Sequence, residues 1–239
     1  MSQSGVAGRL YLIPCYLQED AIHTIPPYLQ KAIANCSVFL VENERSARRF
    51  LKKLWKEMVI DEYRWHLIEE AGQQQVDTML TALKNGHHVG IISEAGCPGI
   101  ADPGQLLVKA AQEKGYQVVP LVGPSSIVLA LMASGMNGQQ FSFHGYLPID
   151  AIERKKKIKE LEATSAREHS TQIFIETPYR NHAIINDILA TCRPQTKLCV
   201  AVDLTGPEER ILTRNISDWK KMELSYHKKP AIFLLMSGS

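Results

Sequence analysis

The chain has 239 residues, 45% of them hydrophobic and 22% charged, with a formal net charge of +2. That is the composition of an ordinary globular protein, long enough for one large domain or two small ones, with too little charge to argue by itself for nucleic acid. No apolar run approaches the ~18 residues of a membrane span, and Met1 to Gly8 lacks the apolar core of a signal peptide, so a cytoplasmic protein without a membrane partner is expected. The five cysteines include no C-x-x-C pair, and their odd number argues against a disulfide framework. His87-His88 follows a turn with no other ligand at metal-site spacing, so no metal is expected.

Leu10 to Ile13 reads as a first strand. Thr24 with Pro26-Pro27 marks a helix start, proline being tolerated in a first turn, and that helix is expected to reach about Asn35. Val38 to Val41 is a short buried strand, Arg45 to Trp55 a basic helix, and Trp65 to Ile68 a weak strand. Val76, Met79, Leu80 and Leu83 line one helix face, which Gly86 ends. Val89 to Ile92 is the next strand, Gln105 to Lys114 the next helix, and Gln117 to Leu121 the strand after it.

This alternation predicts an α/β fold with a mostly parallel sheet covered by helices. It pauses at Val122-Gly123-Pro124-Ser125-Ser126, so the expected domains are 1–121 and 122–239. The second half reads as helix Ser126 to Ala133, strand Phe141 to His144, basic helix Ile152 to Glu162 and strand Gln172 to Ile175. Helix Arg180 to Ala190, strands Leu198 to Val202 and Arg210 to Thr213, a short helix near Asp218, and strand Ala231 to Met236 complete it. Adjacent strands without intervening helices predict a mixed sheet in this half.

The most informative segment is Ser93 to Gly104, which separates the strand ending at Ile92 from the helix beginning at Gln105. Strand-to-helix connections take about 2–6 residues; this one is far longer and contains three glycines and two prolines. Such a turn at the carboxyl end of a buried strand predicts a binding loop, because open α/β sheets bind ligands there. No G-x-G-x-x-G occurs at any strand-to-helix turn, which argues against a dinucleotide-dependent dehydrogenase.

Five segments in register resemble the tetrapyrrole methylase superfamily, the class III S-adenosylmethionine-dependent methyltransferases. The family's S-D-A-G-T-P-G-I-S-D-P-G stands here as Ser93 to Gly104, and its P-L-P-G-P-S-A as Pro120 to Ser126. Its F-x-F-x-G-F-L-P matches Phe141 to Pro148, its F-Y-E-S-P-H-R matches Phe174 to Arg180, and its A-R-E-L-T-K matches Ala201 to Gly206. Within the superfamily the motifs are most similar to those of enzymes that 2′-O-methylate a cytidine of small-subunit ribosomal RNA. The chain departs from them at Pro14 to Gln18, where T-P-I-G-N-L is usual, and at Glu42 to Ala47, where E-D-T-R-H-T is usual; Glu94 replaces the loop aspartate and Gly206 the final lysine.

The resemblance implies two α/β domains, a cleft between them for S-adenosylmethionine, a homodimer, and RNA or the small ribosomal subunit as partner. It implies donor contacts from Ala95, Gly96, Pro98, Ile100 and Ala101, with Ser125, Tyr146-Leu147, Leu204-Thr205 and Pro230-Ala231. A ribose hydroxyl needs a base to take its proton. Glu42, Glu94, Glu176 and Asp203 are the candidates, each at or just past a strand end in a matched motif, although Glu176 with Arg180 also reads as a structural ion pair. Two basic helices bear on RNA: Arg45, Arg48 and Arg49 with Lys52, Lys53 and Lys56, and Arg154, Lys155, Lys156 and Lys157 with Lys159. Each is either a phosphate-binding stripe or a solvated helix face, balanced elsewhere by acids such as Asp61-Glu62 and Glu69-Glu70. Two further readings stand beside RNA methylation: methyl transfer to a compact, tetrapyrrole-like acceptor, and a non-catalytic relative that binds the donor or RNA.

Overall fold

A computed structural model describes residues 6–68, 72–223 and 228–238, so the acidic pair Glu69-Glu70 lies outside the described residues. The chain divides into two compact units, Met1–Ser125 and Ser126–Ser239.

The first unit holds strands β1 (Leu10–Ile13), β2 (Cys36–Val41), β3 (Arg64–Leu67), β4 (His88–Ile92) and β5 (Val118–Pro120) in the order β3-β2-β4-β1-β5. Every pairing is parallel. Helices α1 (Leu29–Ala34), α2 (Glu44–Leu54), α3 (Gln73–Lys84) and α4 (Gln105–Glu113) connect the strands. Alternate strand residues feed two cores. Tyr11, Ile13, Phe39 and Val41 meet Leu29 and Ile33 of α1 and Phe50 and Leu51 of α2. Leu10, Val38, Leu40, Val89 and Ile91 meet Met79 and Leu83 of α3 and Leu107 of α4. With helices on both faces, the strands are buried on both sides, which accounts for their nearly continuous apolar runs. Each fully buried side chain of this size contributes about 1.5–3 kcal/mol.

The second unit begins with α5 (Ser126–Ser134). Strands β6 (Phe141–Tyr146), β7 (Thr171–Glu176), β8 (Lys197–Val202), β9 (Arg210–Asn215) and β10 (Ala231–Met236) form a sheet in the order β6-β7-β10-β8-β9. Only β6 and β7 are parallel, so the sheet is mixed. Helices α6 (Ala151–Glu168), α7 (Asn181–Thr191) and α8 (Ile216–Trp219) bury Ile158, Leu161, Ile184, Ile188 and Trp219 against Phe174, Val200 and Phe233. Helix α5 packs against β9 and β10.

The largest departures from the expected element boundaries are at the start of α1 and the end of α6. The chain around Pro26-Pro27 makes i→i+3 bonds, Leu29 N–H to Pro26 O and Gln30 N–H to Pro27 O, so α1 starts two residues beyond the prolines. Helix α6 continues past Glu162 to Glu168 because Ser165, a polar residue invisible to an apolar count, is buried on its inner face. Its Oγ donates to Ser170 O at 2.7 Å and accepts Ser237 N–H at 2.8 Å.

Candidate active site

The parallel sheet brings the turns after β1, β2 and β4 to one edge, the carboxyl ends of the strands. Cys15, after β1, exchanges backbone bonds with Gly96, N–H to Gly96 O at 2.8 Å and Gly96 N–H to Cys15 O at 3.2 Å. Gly96 and Gly99 have φ of +73° and +83°, and Ala101 takes +59°. A left-handed alanine costs about 1–2 kcal/mol, so the loop holds a shape that its sequence does not favour by itself. Asp102 fixes that shape: its Oδ1 accepts N–H bonds from Gly99 and Gly104, both at 2.8 Å. Burial pushes the Cys15 thiol up to about 12, so it is no nucleophile at neutral pH.

Glu42 follows β2. Its Oε1 accepts the Glu94 N–H at 3.0 Å, tying the turn after β2 to the long loop after β4. Asn43 beside it caps α2, accepting Ser46 N–H at 3.2 Å, so the cap survives where relatives carry aspartate. Glu42, Asn43, Ile68, Glu94, Ala101, Asp102 and Pro103 line a cleft of about 640 Å³. Desolvation raises the Glu42 carboxyl above its ordinary range, with Asp102 and Glu94 adding repulsion and the Glu94 N–H opposing. Burial raises Asp102 as well, against its bonds from Gly99 and Gly104.

The four carboxylates named from the sequence therefore separate. Glu42 and Glu94 share the cleft of the first unit. Asp203, with φ +53°, is a turn residue of the second unit: its Oδ2 accepts Glu208 N–H at 2.9 Å. A Cβ at Gly206 would come within 2.6 Å of the Asp203 carboxylate, so the absent lysine and the folded-back aspartate go together. Glu176 is buried, and its Oε1 accepts Thr177 N–H at 2.6 Å and Arg180 Nε at 2.9 Å. Its Oε2 is buried without a hydrogen-bond partner among the described residues. Asp102, which the sequence reading did not single out, belongs to the cleft; the Asp-Pro-Gly at the end of the loop was the available signal.

The expected donor contacts are spread over both units. In the loop, Gly96 and Pro98 are buried, while Ala95, Ile100 and Ala101 are exposed. Ser125, which ends the first unit, is half-buried. In the second unit, Tyr146 is exposed, but Leu147 and Leu204 are buried side chains, which leaves their backbone for a ligand. Thr205, at φ +67°, has a buried Oγ1 with no hydrogen-bond partner among the described residues. Pro230 is exposed and Ala231 half-buried at the start of β10; Pro230 O accepts Asp203 N–H at 2.9 Å.

Much of the basic charge is occupied. Arg48 pairs with Glu44 and lies 5.2 Å over the Trp65 ring. Arg49 and Lys53 hold Glu19 at 3.0 and 3.2 Å, and Lys52 Nζ donates to Lys56 O and Met58 O. Arg154 is 6% exposed and bonded to Asp187, Nε to Oδ2 at 2.8 Å and Nη2 at 2.6 Å, and to the carbonyls of Pro148 and Ile149. It fastens the loop after β6 to α7 and does not face a ligand, which corrects its expected role at nucleic acid. Lys155 shares Asp187, and Lys157 pairs with Glu160 at 3.5 Å. Arg45 and Lys156 are exposed with no ion pair among the described residues.

Residues 23–219 match the family of Tetrapyrrole (Corrin/Porphyrin) Methylases. A protein named ribosomal RNA small subunit methyltransferase I from Escherichia coli O157:H7 is 30% identical over 97% of this chain and 78% of its own. The protein of that name from Buchnera aphidicola subsp. Schizaphis graminum is 32% identical over 100% of this chain and 81% of its own. Among solved structures, the methyltransferase CobJ superposes with a TM-score of 0.62 at 16% identity, covering 97% of this chain and 95% of its own. The uroporphyrin-III C-methyltransferase of Thermus thermophilus, solved with S-adenosylhomocysteine, has a TM-score of 0.53 at 15% identity, covering 96% and 97%. With both α/β sheets, the loop after β4 and a family match across most of its length, the chain belongs to the tetrapyrrole (corrin/porphyrin) methylases, a family of S-adenosylmethionine-dependent methyltransferases.

Proposed function

We propose that the chain methylates the ribose 2′-hydroxyl of a cytidine in small-subunit ribosomal RNA, with S-adenosylmethionine as donor, as a homodimer in the cytoplasm. The names of the relatives support the RNA acceptor. The observation that carries the chemistry is Glu42, a half-buried carboxylate of raised proton affinity in a cleft beside the long loop. Val128 and Met132, apolar and exposed on α5, support self-association.

The residues present fit the donor. The Gly96–Ala101 segment offers backbone groups held in shape by Asp102, and the unpartnered Thr205 hydroxyl suits a polar ligand atom. We assign donor binding to Ala95, Gly96, Pro98, Ile100 and Ala101, with Ser125, the backbone of Tyr146-Leu147 and of Leu204, Thr205, and Pro230-Ala231. When bound, S-adenosylmethionine supplies a methyl group already activated by the sulfonium charge. The chain's tasks are then to align the acceptor, worth at most about 7–11 kcal/mol, and to remove its proton. Glu42 performs the second: its Oε1 is held by the Glu94 N–H, which would leave Oε2 to take the 2′-hydroxyl proton. Glu94 and Asp102 raise the basicity of Glu42 by repulsion. Arg45, Arg49, Lys155, Lys156 and Lys157 contact phosphates. Exposed ion pairs are worth only about 0–1 kcal/mol, so Arg49 and Lys157 can exchange their partners for phosphate, while Lys155 can leave Asp187 to Arg154.

The test is incubation with methyl-labelled donor and, separately, with unmethylated small ribosomal subunits or a porphyrinoid precursor. Label in the RNA supports the reading. Label in the porphyrinoid alone replaces it with the small-acceptor reading, and donor binding without transfer to either replaces it with the non-catalytic one.

A further inference from the structure

Edge strand β3 and helix α3 enclose a groove of about 650 Å³ in the first unit, lined by Arg64, His66, His87, Gln74, Thr78 and Thr81. It shares His66, Gln74 and Thr78 with a second hollow of about 310 Å³ that ends at Glu44 and Leu67. Those two residues are the chain neighbours of Asn43 and Ile68, which line the Glu42 cleft. The two hollows therefore overlap along β3, and the chain from Arg64 to Ile68 leads from them toward the Glu42 cleft. At about 3.3 Å per strand residue that stretch is roughly 13 Å long, a span of a few nucleotides.

The lining has the chemistry of a nucleic-acid backbone site. Gln74, Thr78, Thr81 and Asn85 recur at three- and four-residue spacing, so amides and hydroxyls form one stripe of α3. Across from it Arg64 is exposed and makes no ion pair among the described residues, and His66 and His87 add two imidazoles. The carboxylate at this end, Asp77, accepts Gln73 Nε2 at 3.0 Å. Among the described residues no strand pairs with the outer edge of β3.

We propose that this groove holds the single-stranded RNA segment next to the target nucleotide and guides it to Glu42. The proposal rests on the RNA reading above and adds a site that the basic helices do not supply. A sugar–phosphate strand suits these hollows better than a folded protein surface, because amides, hydroxyls, imidazoles and the Arg64 guanidinium line them over a small apolar floor of Val38 and Ala82.

The experiment is anisotropy titration with a labelled single-stranded oligoribonucleotide of about a dozen nucleotides over a salt series. Arg64→Gln is compared with the triple variant Arg64→Gln, His66→Ala, His87→Ala, and S-adenosylhomocysteine binding by calorimetry verifies the fold. Arg64→Gln is expected to flatten the slope of log K against log salt by about 0.7, the loss of one single-strand phosphate contact. The triple variant is expected to weaken RNA binding roughly tenfold, with donor binding unchanged. If the variants keep the wild-type affinity and slope, the groove proposal falls and the RNA reading stands. If wild type binds no RNA, the RNA reading falls and takes the groove with it. Displacement of the RNA by poly-aspartate at equal charge concentration would also overturn the proposal, by making the groove a site for acidic peptide.

Discussion

Burial of Glu42 beside Asp102 and Glu94 favours its protonated form. The folded chain therefore binds that proton more tightly than the unfolded chain, and the stability this contributes is present at low pH and is lost as pH rises through the raised folded value. Glu42→Gln should accordingly raise the melting temperature at about pH 8 and leave it nearly unchanged at about pH 4, below the unfolded value. The same change should lower methyl transfer by roughly 10²–10⁴-fold while S-adenosylhomocysteine still binds. In wild type the rate should rise with pH through a midpoint above the ordinary glutamate range, because the base acts ionised; an unchanged profile in the variant would remove Glu42 from the mechanism. Arg154 behaves differently. Asp187→Ala leaves its guanidinium buried without its carboxylate partner and should cost about 3–5 kcal/mol in urea denaturation. Lys156→Ala, on an exposed side chain, should stay within about 0.5 kcal/mol.

Among the elements, the turn after β8 couples two departures from the family pattern. Gly206→Ala drives a methyl group into the Asp203 carboxylate. It should destabilise by about 1–2 kcal/mol alone and much less in an Asp203→Ala background, a coupling of roughly 0.5–2 kcal/mol measured by a double-mutant cycle. Additive effects would mean that the two positions are independent. The strands and helices of both units were legible because buried strands show as short apolar runs and helix faces as apolar residues recurring at about 3.6. Leu10 to Ile13 and the face of Val76, Met79, Leu80 and Leu83 are examples. The end of α6 was not legible, because Ser165 is buried by hydrogen bonds and not by apolarity. The loop after β4 was legible through its glycines and prolines. The roles of its neighbours were not, because whether a carboxylate faces a cleft or closes a turn depends on tertiary contacts. Glu42 and Asp203 both stand at strand ends in the sequence, yet one lines a cleft and the other bonds Glu208 N–H. Arg154 sits among lysines and was indistinguishable from them until the helix was packed against Asp187.

For the whole molecule, the parallel sheet of the first unit and the mixed sheet of the second reproduce the organisation of solved tetrapyrrole methyltransferases at identities of only 14–16%. A shared fold does not decide the acceptor, because acceptor choice lies in the sites and surfaces built on the fold. One measurement tests the proposed donor-binding loop, carboxylate base and RNA acceptor together. Unmethylated small ribosomal subunits are incubated with methyl-labelled S-adenosylmethionine and either wild type or Glu42→Gln, and the recovered RNA is digested with alkali. A 2′-O-methyl group blocks cleavage at its own nucleotide, so ribose methylation by Glu42 should place label in an alkali-stable dinucleotide beginning with cytidine, nearly absent with the variant. Label released in mononucleotides, or equal labelling by the two proteins, would contradict it.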